Sequence, residues 1–430
     1  MKEFDVVIVG AGVTGTALAY ILTNFTTIKN IALVEKEKKV AQIQSKSSSN
    51  SQTLHLGDIE TQYTLEKAKQ VKKDAGLIVN YLKKNKGIHL DIQKMVLAVG
   101  KEEIQELKKH YSEIKELFPD LRVIYRIELE KIEPNVVLER DPQEEVMAIY
   151  SPHGYAVDFG KLAESFVEHS TAETFFGQKI KKIIPEKKKY IIEGNKIKIK
   201  ARFVVVCSSG NSLTFAHQLG YWKNIILLPI AGSFFYSKKV LRGKVYRMQD
   251  KRLPFAAPHG DPDVNDKNIT RFGPTARFLP MLERYHYLSF FDFLKLIKLR
   301  FSAITSLIKV TLDPHNFNFV VKNICYDLPF IGKLMYFKNV KKIVPSLKIN
   351  ELHYGKKIGG IRPQIIDITT RKINLGEAKE VGRNIIFNLT PSPGASVCLA
   401  NAVKDARIIV KSLDKKFDED KFKQELELST

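Results

Sequence analysis

The stretch "FDVVIVGAGVTGTALAYIL", Phe4 to Leu22, begins with an almost wholly apolar run to Val9, the pattern of a strand buried on both faces. A glycine turn follows, and then small and large apolar residues at helical spacing. Gly10, Gly12 and Gly15 stand in G-x-G-x-x-G register: one makes a tight turn, one lets backbone approach a pyrophosphate, and one packs helix on strand. Val13 and Thr14 place their amides at the helix start, where the dipole attracts phosphate. A second strand, "NIALVEK", ends at Glu35 and Lys36, about 20 residues after the last glycine, where a ribose-binding acid belongs. This order predicts a Rossmann-like α/β unit for an adenine dinucleotide with a free ribose 2′-hydroxyl, FAD or NAD.

The chain has 430 residues, 44% of them apolar, enough for a large core and too apolar for disorder. Cys207, Cys325 and Cys398 show no metal-ligand spacing and are expected to be free thiols in a reducing cytoplasm. With the first strand starting at Phe4, no secretory signal is expected, and no run of about 18 apolar residues predicts a spanning helix. The net charge of +22 favours an anionic partner such as nucleic acid, acidic lipid or a polyacid substrate, although a generally lysine-rich surface gives the same number.

Amphipathic helices are expected over residues 66–86 and 102–117, and "PHGYAVDFGKLAESFVEHS" as a turn followed by a helix. Short strands from Phe176 to Lys200 lead to the buried run "ARFVVVCSSGNSL", which returns the chain to the nucleotide unit and offers Ser209 and Gly210 to the cofactor. "LPIAGSFFYSKK", "GKVYRMQD" and "TRFGPTA" predict a second, mostly antiparallel sheet. The fold class is therefore α/β with an α+β substrate domain inserted into a discontinuous nucleotide domain. The segments are expected at 1–85, 156–225 and 351–430 for the nucleotide domain and at 86–155 and 226–350 for the substrate domain. Met281 to Val310 has helical spacing and a broad apolar face, continuing into the basic "LMYFKNVKKIVPSLK". Residues 281–345 thus pack as buried helices or lie on an anionic membrane surface.

The polar segment "SKSSSNSQTLHLGDIETQYT" favours FAD, because its Asn50, Ser51, Gln52, Thr53 and His55 resemble the stretch that wraps the flavin in enzymes oxidising 2-hydroxy acids, glycerol phosphate and amino acids. Taken in order, GAGVTG, NSQTLHLGDIETQYT, YAVDFGKLAESF, LPIAGSFFYS, TRFGPTA, GGIRPQ and NLTPSPGASVCLANA resemble the malate:quinone oxidoreductase family from about residue 5 to 410. The resemblance implies a glutathione-reductase-like FAD domain, as in the D-amino acid oxidase group, with non-covalent FAD, oxidation of L-malate to oxaloacetate, and quinone as acceptor. It also implies peripheral attachment at the cytoplasmic face of the inner membrane. One motif departs: family members carry Pro-His then Leu-Asp-Thr-Arg, whereas here Pro258-His259 is followed by Gly260, Asp261, Pro262 and Asp263. L-lactate and L-2-hydroxyglutarate therefore stay open as substrates. A flavoprotein that binds or modifies nucleic acid is the alternative of another class, but "KKIIPEKKK" and "KNVKKIVPSLK" interleave their charges with apolar residues and form no recognisable nucleic-acid module.

Oxidising a 2-hydroxy acid needs a carboxylate anchor, a base for the hydroxyl proton, and the flavin facing C2. Arg362 of "GGIRPQ", beside Gly360, resembles the carboxylate-binding arginine of the D-amino acid oxidase group. His259, in a turn flanked by Pro and Gly, is the expected base with Asp261 orienting it; His55 competes. Arg271 and Ser233 are candidates for malate's second carboxylate. In the late loop, Pro393, Gly394, Ala395 and Ser396 are expected to bring amides and a helix N-terminus against the flavin, with Gly394 small because the ring comes close.

Overall fold

The computed structural model describes residues 1–248, 258–297, 301–312, 314–328, 330–374, 377–391 and 393–427. Its two large sheets follow from two sequence patterns. Continuous apolar runs build the first: Glu3–Val9 lies between Ile31–Val34 and Lys198–Val206, parallel to both, and Ile385–Leu389 extends the parallel array beyond Lys198–Val206. Ala378–Gly382 and Glu173–Phe175 are the edges, and the hairpin Ile180–Glu186 and Lys189–Gly194 joins antiparallel to Lys198–Val206. Val6, Val7, Ile8, Val204 and Val205 are fully buried. Each contributes about 1.5–3 kcal/mol of apolar transfer, which is why these strands read as unbroken hydrophobic runs.

Helices Val13–Phe25, Phe159–Glu168 and Cys398–Leu413 cover one face, with Phe25, Phe166 and Leu399 in a shared core. Asp158 caps the middle helix by accepting from the Gly160 and Lys161 amides. The opposite face shares a core with the second sheet, where Val7 and Val204 join Ile226, Leu227 and Ile365.

The second sheet runs, in order, Lys372–Asn374, His353–Asp367, Ile225–Lys238, Ile269–Gly273, His259–Pro262, Lys244–Arg247, His89–Val99, Val146–Val157 and Arg122–Tyr125, with Arg277–Phe278 paired off to Ile225–Lys238. All its pairings are antiparallel save that of Lys244–Arg247 with His89–Val99. Within the sequence-predicted strand 243–250, Gln249 and Asp250 lie outside the described residues.

The expected helices appear as Leu65–Lys84 and Lys101–Ile114. Three local expectations are corrected. The turn expected at Pro152 is the interior of strand Val146–Val157; the register slips between Ile92 and Lys94, so Pro152 and His153 bulge into solvent where no ladder donor is needed. His259 lies in a strand paired on both sides rather than in a turn, because Gly260 and Gly273 admit the close-packed Leu241, Phe272 and Phe234 rings and chains. The helical pattern from Met281 begins only at Ser289, and the described pieces are Ser289–Ile297, Phe301–Leu312, Pro314–Tyr326 and Ile331–Ile343. Lys298, within the expected pattern, lies outside the described residues. Among the described residues no helix is long and apolar enough to cross a membrane.

Candidate active site

A cavity of about 530 Å³ runs from the C-terminal edge of the parallel strands to the face of the second sheet, within the roughly 300–1,000 Å³ of ligand sites. Gly10, Gly12, Val13 and Thr14 line its first wall, with Glu35 and Lys36 at the next strand end. Gly10 adopts φ +109°, and a Cβ there would stand 2.5 Å from the Cys207 carbonyl oxygen. Gly15 is behind the wall: a Cβ on it would lie 2.0 Å from the Gly10 carbonyl, so its role is helix-to-strand packing. The Val13 amide donates to Ser45 Oγ at 2.9 Å, which puts an oxygen acceptor on the helix N-terminus where a phosphate oxygen is held.

Glu35 accepts from the Ala11 amide at 2.7 Å and the Glu37 amide at 3.0 Å; burial pushes its carboxyl above the ordinary range, and the two amides oppose that. Lys36 pairs with Glu283, which also accepts from Asn211 at 3.1 Å. Helix-start amides, a strand-end acid and a long cavity together match the donor and acceptor set of an adenine dinucleotide.

The far wall comes from the polar segment, the late loop and strand His353–Asp367. Asn50, Ser51, Thr53, His55, Pro393, Ala395, Ser396, Ser209 and Arg362 all line the cavity. The His55 amide donates to Ser396 Oγ at 2.9 Å, tying the segment to the late loop. His55 Nδ1 lies 2.7 Å from Glu60 Oε1, while Glu60 Oε2 accepts from the Gly57 amide at 2.8 Å. Burial alone raises the Glu60 carboxyl, but the His55 hydrogen bond, the charges of His55 and Lys94, and the Gly57 amide hold it below the ordinary value. Arg362 is partly buried, and desolvation lowers its guanidinium to about 10; Tyr246 opposes the shift and Arg284 adds to it.

Other expected residues stand behind the wall. Gln52 is buried, its side-chain amide donating to Asp263 at 3.0 Å and accepting from the Val264 amide at 2.9 Å. Gly210 precedes helix Asn211–Gln218 and packs against Leu227 and Leu282. Gly360 admits the polar segment, since a Cβ would meet the Ser49 carbonyl at 2.4 Å. At Gly394 a Cβ would meet Thr390 Cβ at 2.7 Å, so packing within the loop already calls for a residue this small; Ser392 lies outside the described residues.

His259 is 3% exposed and absent from the cavity wall, its ring 4.5 Å from that of Tyr246 and its Nε2 3.3 Å from Asp261 Oδ1. Arg271 donates to the Asn50 carbonyl at 2.8 Å and to Asp263 at 3.3 Å, bracing the segment from behind. Ser233 donates to Asp327 at 2.5 Å on the other side of Gly232.

Sequence reading missed Ser45, Glu60, Thr390 and Lys244. Lys244 is fully buried, donates to the Ser51 carbonyl at 3.1 Å and to Thr53 Oγ1, and lies 3.5 Å from Asp261 Oδ2. Burial lowers its ammonium to about 8 against the pull of Asp261, and burial raises Asp261 against the pull of Lys244. Glu60 and Ser45 lie in the polar segment already singled out and Thr390 in the late loop, but nothing local picks them from their neighbours beyond the placing of Glu60 five residues after His55.

A model of the malate:quinone oxidoreductase (Mqo) family matches residues 2–428. The chain is 43% identical to a probable malate:quinone oxidoreductase of Campylobacter jejuni and 40% identical to a malate:quinone oxidoreductase of Helicobacter pylori, over 99% of this chain and 99% and 98% of theirs. Among solved structures it is similar to an FAD-bound L-alpha-glycerophosphate oxidase from Mycoplasma pneumoniae, with a TM-score of 0.67, 20% identity, and coverage of 97% of this chain and 96% of that one. The fold is that of the FAD-dependent oxidases, and the chain belongs to the malate:quinone oxidoreductase family.

Proposed function

We propose that the cavity holds FAD non-covalently and that the protein oxidises L-malate to oxaloacetate, with quinone as the acceptor. The observation carrying this reading is one cavity with a dinucleotide cradle at one end and, at the other, a partly buried guanidinium, Arg362, with an imidazole, His55, backed by a carboxylate. Bound FAD supplies the hydride acceptor and the route for two electrons onward. The Gly10–Thr14 turn and helix N-terminus would hold the pyrophosphate, and Glu35 would accept from the ribose.

Arg362 takes the C1 carboxylate of malate by two parallel hydrogen bonds, strengthened because its site is desolvated. His55 removes the C2 hydroxyl proton, with Glu60 fixing the tautomer that leaves Nε2 as the base. We assign this role to His55 rather than His259 because, of the two, His55 lines the cavity and His259 does not; His286 also lines it, at the Glu283 end beside Lys36. His259, Asp261 and Lys244 form a buried polar layer behind Thr53. Pro393, Ala395 and Ser396 close the site from the late loop, with the turn Gly394–Val397 leading into helix Cys398–Leu413. Adding L-malate anaerobically to the purified holoprotein bleaches the flavin absorption band; a band that persists under saturating malate rejects the reading.

Peripheral attachment to an anionic membrane, at the cytoplasmic face, belongs to the same proposal. Tyr287 at 78% exposed, Leu288, Phe291, Phe330 at 90% and Leu334 lie within residues 281–345 of a protein carrying +22. Co-sedimentation with phosphatidylglycerol vesicles that persists at moderate salt supports it, and an unbound protein at low salt counts against it.

A further inference from the structure

We infer that the buried cluster around Asp327 is the quinone site, with its headgroup against Arg284 and Tyr354 and its apolar tail across the surrounding exposed side chains. The inference rests on the malate:quinone reading above and adds where the acceptor binds. Asp327 stands at the end of helix Pro314–Tyr326, its side chain 2% exposed. One of its oxygens accepts from Ser233 Oγ at 2.5 Å and lies 3.5 Å from the Tyr354 hydroxyl, and the other is 3.2 Å from Arg277 Nε and 3.8 Å from Arg284 Nη2. Arg284 also donates to the Gly232 carbonyl at 2.6 Å and to Ser233 Oγ at 2.5 Å, and Tyr285 lies over its guanidinium at 5.0 Å.

Burying the Asp327 carboxylate, the Arg284 guanidinium and the Ser233 hydroxyl at one place is costly unless each is paired, and here they pair with one another and with the partly exposed Arg277 and Tyr354 at the surface. Around them the surface turns apolar. Tyr285, Tyr287 and Leu288 follow Arg284 in sequence, and Leu328, Phe330 and Ile331 follow Asp327, all exposed. A polar floor inside an apolar collar suits an amphipathic ligand with hydrogen-bond acceptors at one end and hydrocarbon at the other. Among the two partners of this reaction, malate is polar throughout and quinone has that character.

The floor also adjoins the cavity. Arg284 holds the Gly232 carbonyl, while a Cβ on Gly232 would stand 3.5 Å from Arg362 Nη2. Arg362 is in the cavity wall, so a headgroup on Arg284 is about one residue's width from the site where malate is oxidised. Two electrons and two protons leave malate as it becomes oxaloacetate, and quinone takes up two electrons and two protons as it becomes quinol. The protons reach it from solvent at the exposed mouth beside Tyr354.

The test is steady-state kinetics of the FAD-loaded full chain with a short-chain ubiquinone analogue and, separately, a water-soluble phenazine dye. Tyr354→Phe and Leu328→Asp are each expected to raise KM for the quinone analogue about tenfold while KM for malate, read with the dye, moves less than twofold. Two different positions are used so that loss of one variant to misfolding leaves the other. A rise in malate KM with both acceptors would assign the cluster to the substrate and overturn the inference, as would unchanged quinone KM in both variants. Wild-type protein that fails to oxidise malate even with the dye sinks the underlying reading instead.

Discussion

Thr14 and Thr390 place their hydroxyl oxygens 3.2 Å apart, joining the first turn of the N-terminal helix to the late loop across 376 positions of sequence. Both line the cavity, so the contact closes the cofactor site as well as the fold. A hydroxyl pair of this kind contributes about 0.5–1.5 kcal/mol net. Thr14→Val and Thr390→Val are each expected to cost that much, and the double variant less than their sum, in urea unfolding of the holoprotein. Strict additivity would mean that the two hydroxyls do not act on one another.

His55 and Glu60 form the pair on which proton removal is placed. His55→Gln is expected to lower kcat for malate by about 10²–10⁴ while FAD content is retained, the range for loss of a positioned base. Glu60→Gln keeps the shape and removes the charge. The folded-state pKa of Glu60 is held below its ordinary 4.5, so its contribution to stability is present above that value and is lost as pH falls through the lower folded value. The stability deficit of Glu60→Gln against wild type therefore narrows as pH drops below about 4.5. A deficit constant with pH would show that Glu60 is not the ionised partner of His55.

Arg362 is half-buried in the cavity wall and Arg271 fully buried behind it, and their surroundings separate them. Arg362→Met is expected to lower kcat/KM for malate by about 10²-fold or more, since a desolvated charge-assisted pair is lost. Arg271 braces Asn50 and Asp263 from behind the wall. Arg271→Leu is expected to destabilise by roughly 3 kcal/mol, because Asp263 loses its cation. Any loss of turnover should be equal for malate and lactate; a loss selective for malate would return Arg271 to the second carboxylate.

Much of the fold was legible because its signals are local. The Gly10–Gly15 turn, the apolar runs at Val6–Val9 and Val204–Val206, and the alternating strands of the second sheet each follow from neighbouring residues. The dinucleotide cradle was legible for the same reason. The far wall's residues were named through the family resemblance, but the contacts that assemble it were not legible, since they join positions that the sequence does not relate: His55 meets Ser396 and Lys244 meets Ser51 through strand order alone. His259 looked like a turn residue because Pro258, Gly260 and Pro262 surround it, yet pairing with Tyr246 and Gly273 on either side overrides those local preferences. Ser45 was hidden in a run of hydroxyl residues, any one of which fits a solvated loop.

Lys244 gives the last test, because nothing in its sequence neighbourhood distinguishes it from the other lysines. In the unfolded chain it keeps its proton up to about pH 10.5, and in the fold burial brings that down to about 8. Between these values the unfolded state binds more protons than the folded one, so stability rises with pH through that window, by on the order of 1 kcal/mol per pH unit from this group. Below pH 8 the buried ammonium imposes its full cost, offset in part by Asp261 at 3.5 Å. Lys244→Met keeps the side-chain volume and removes the titration. In denaturant melts from pH 7.5 to 10, wild-type stability measured against Lys244→Met is therefore expected to increase with pH. Parallel profiles would mean that the ammonium keeps an ordinary pKa and that the layer behind Thr53 is open to water.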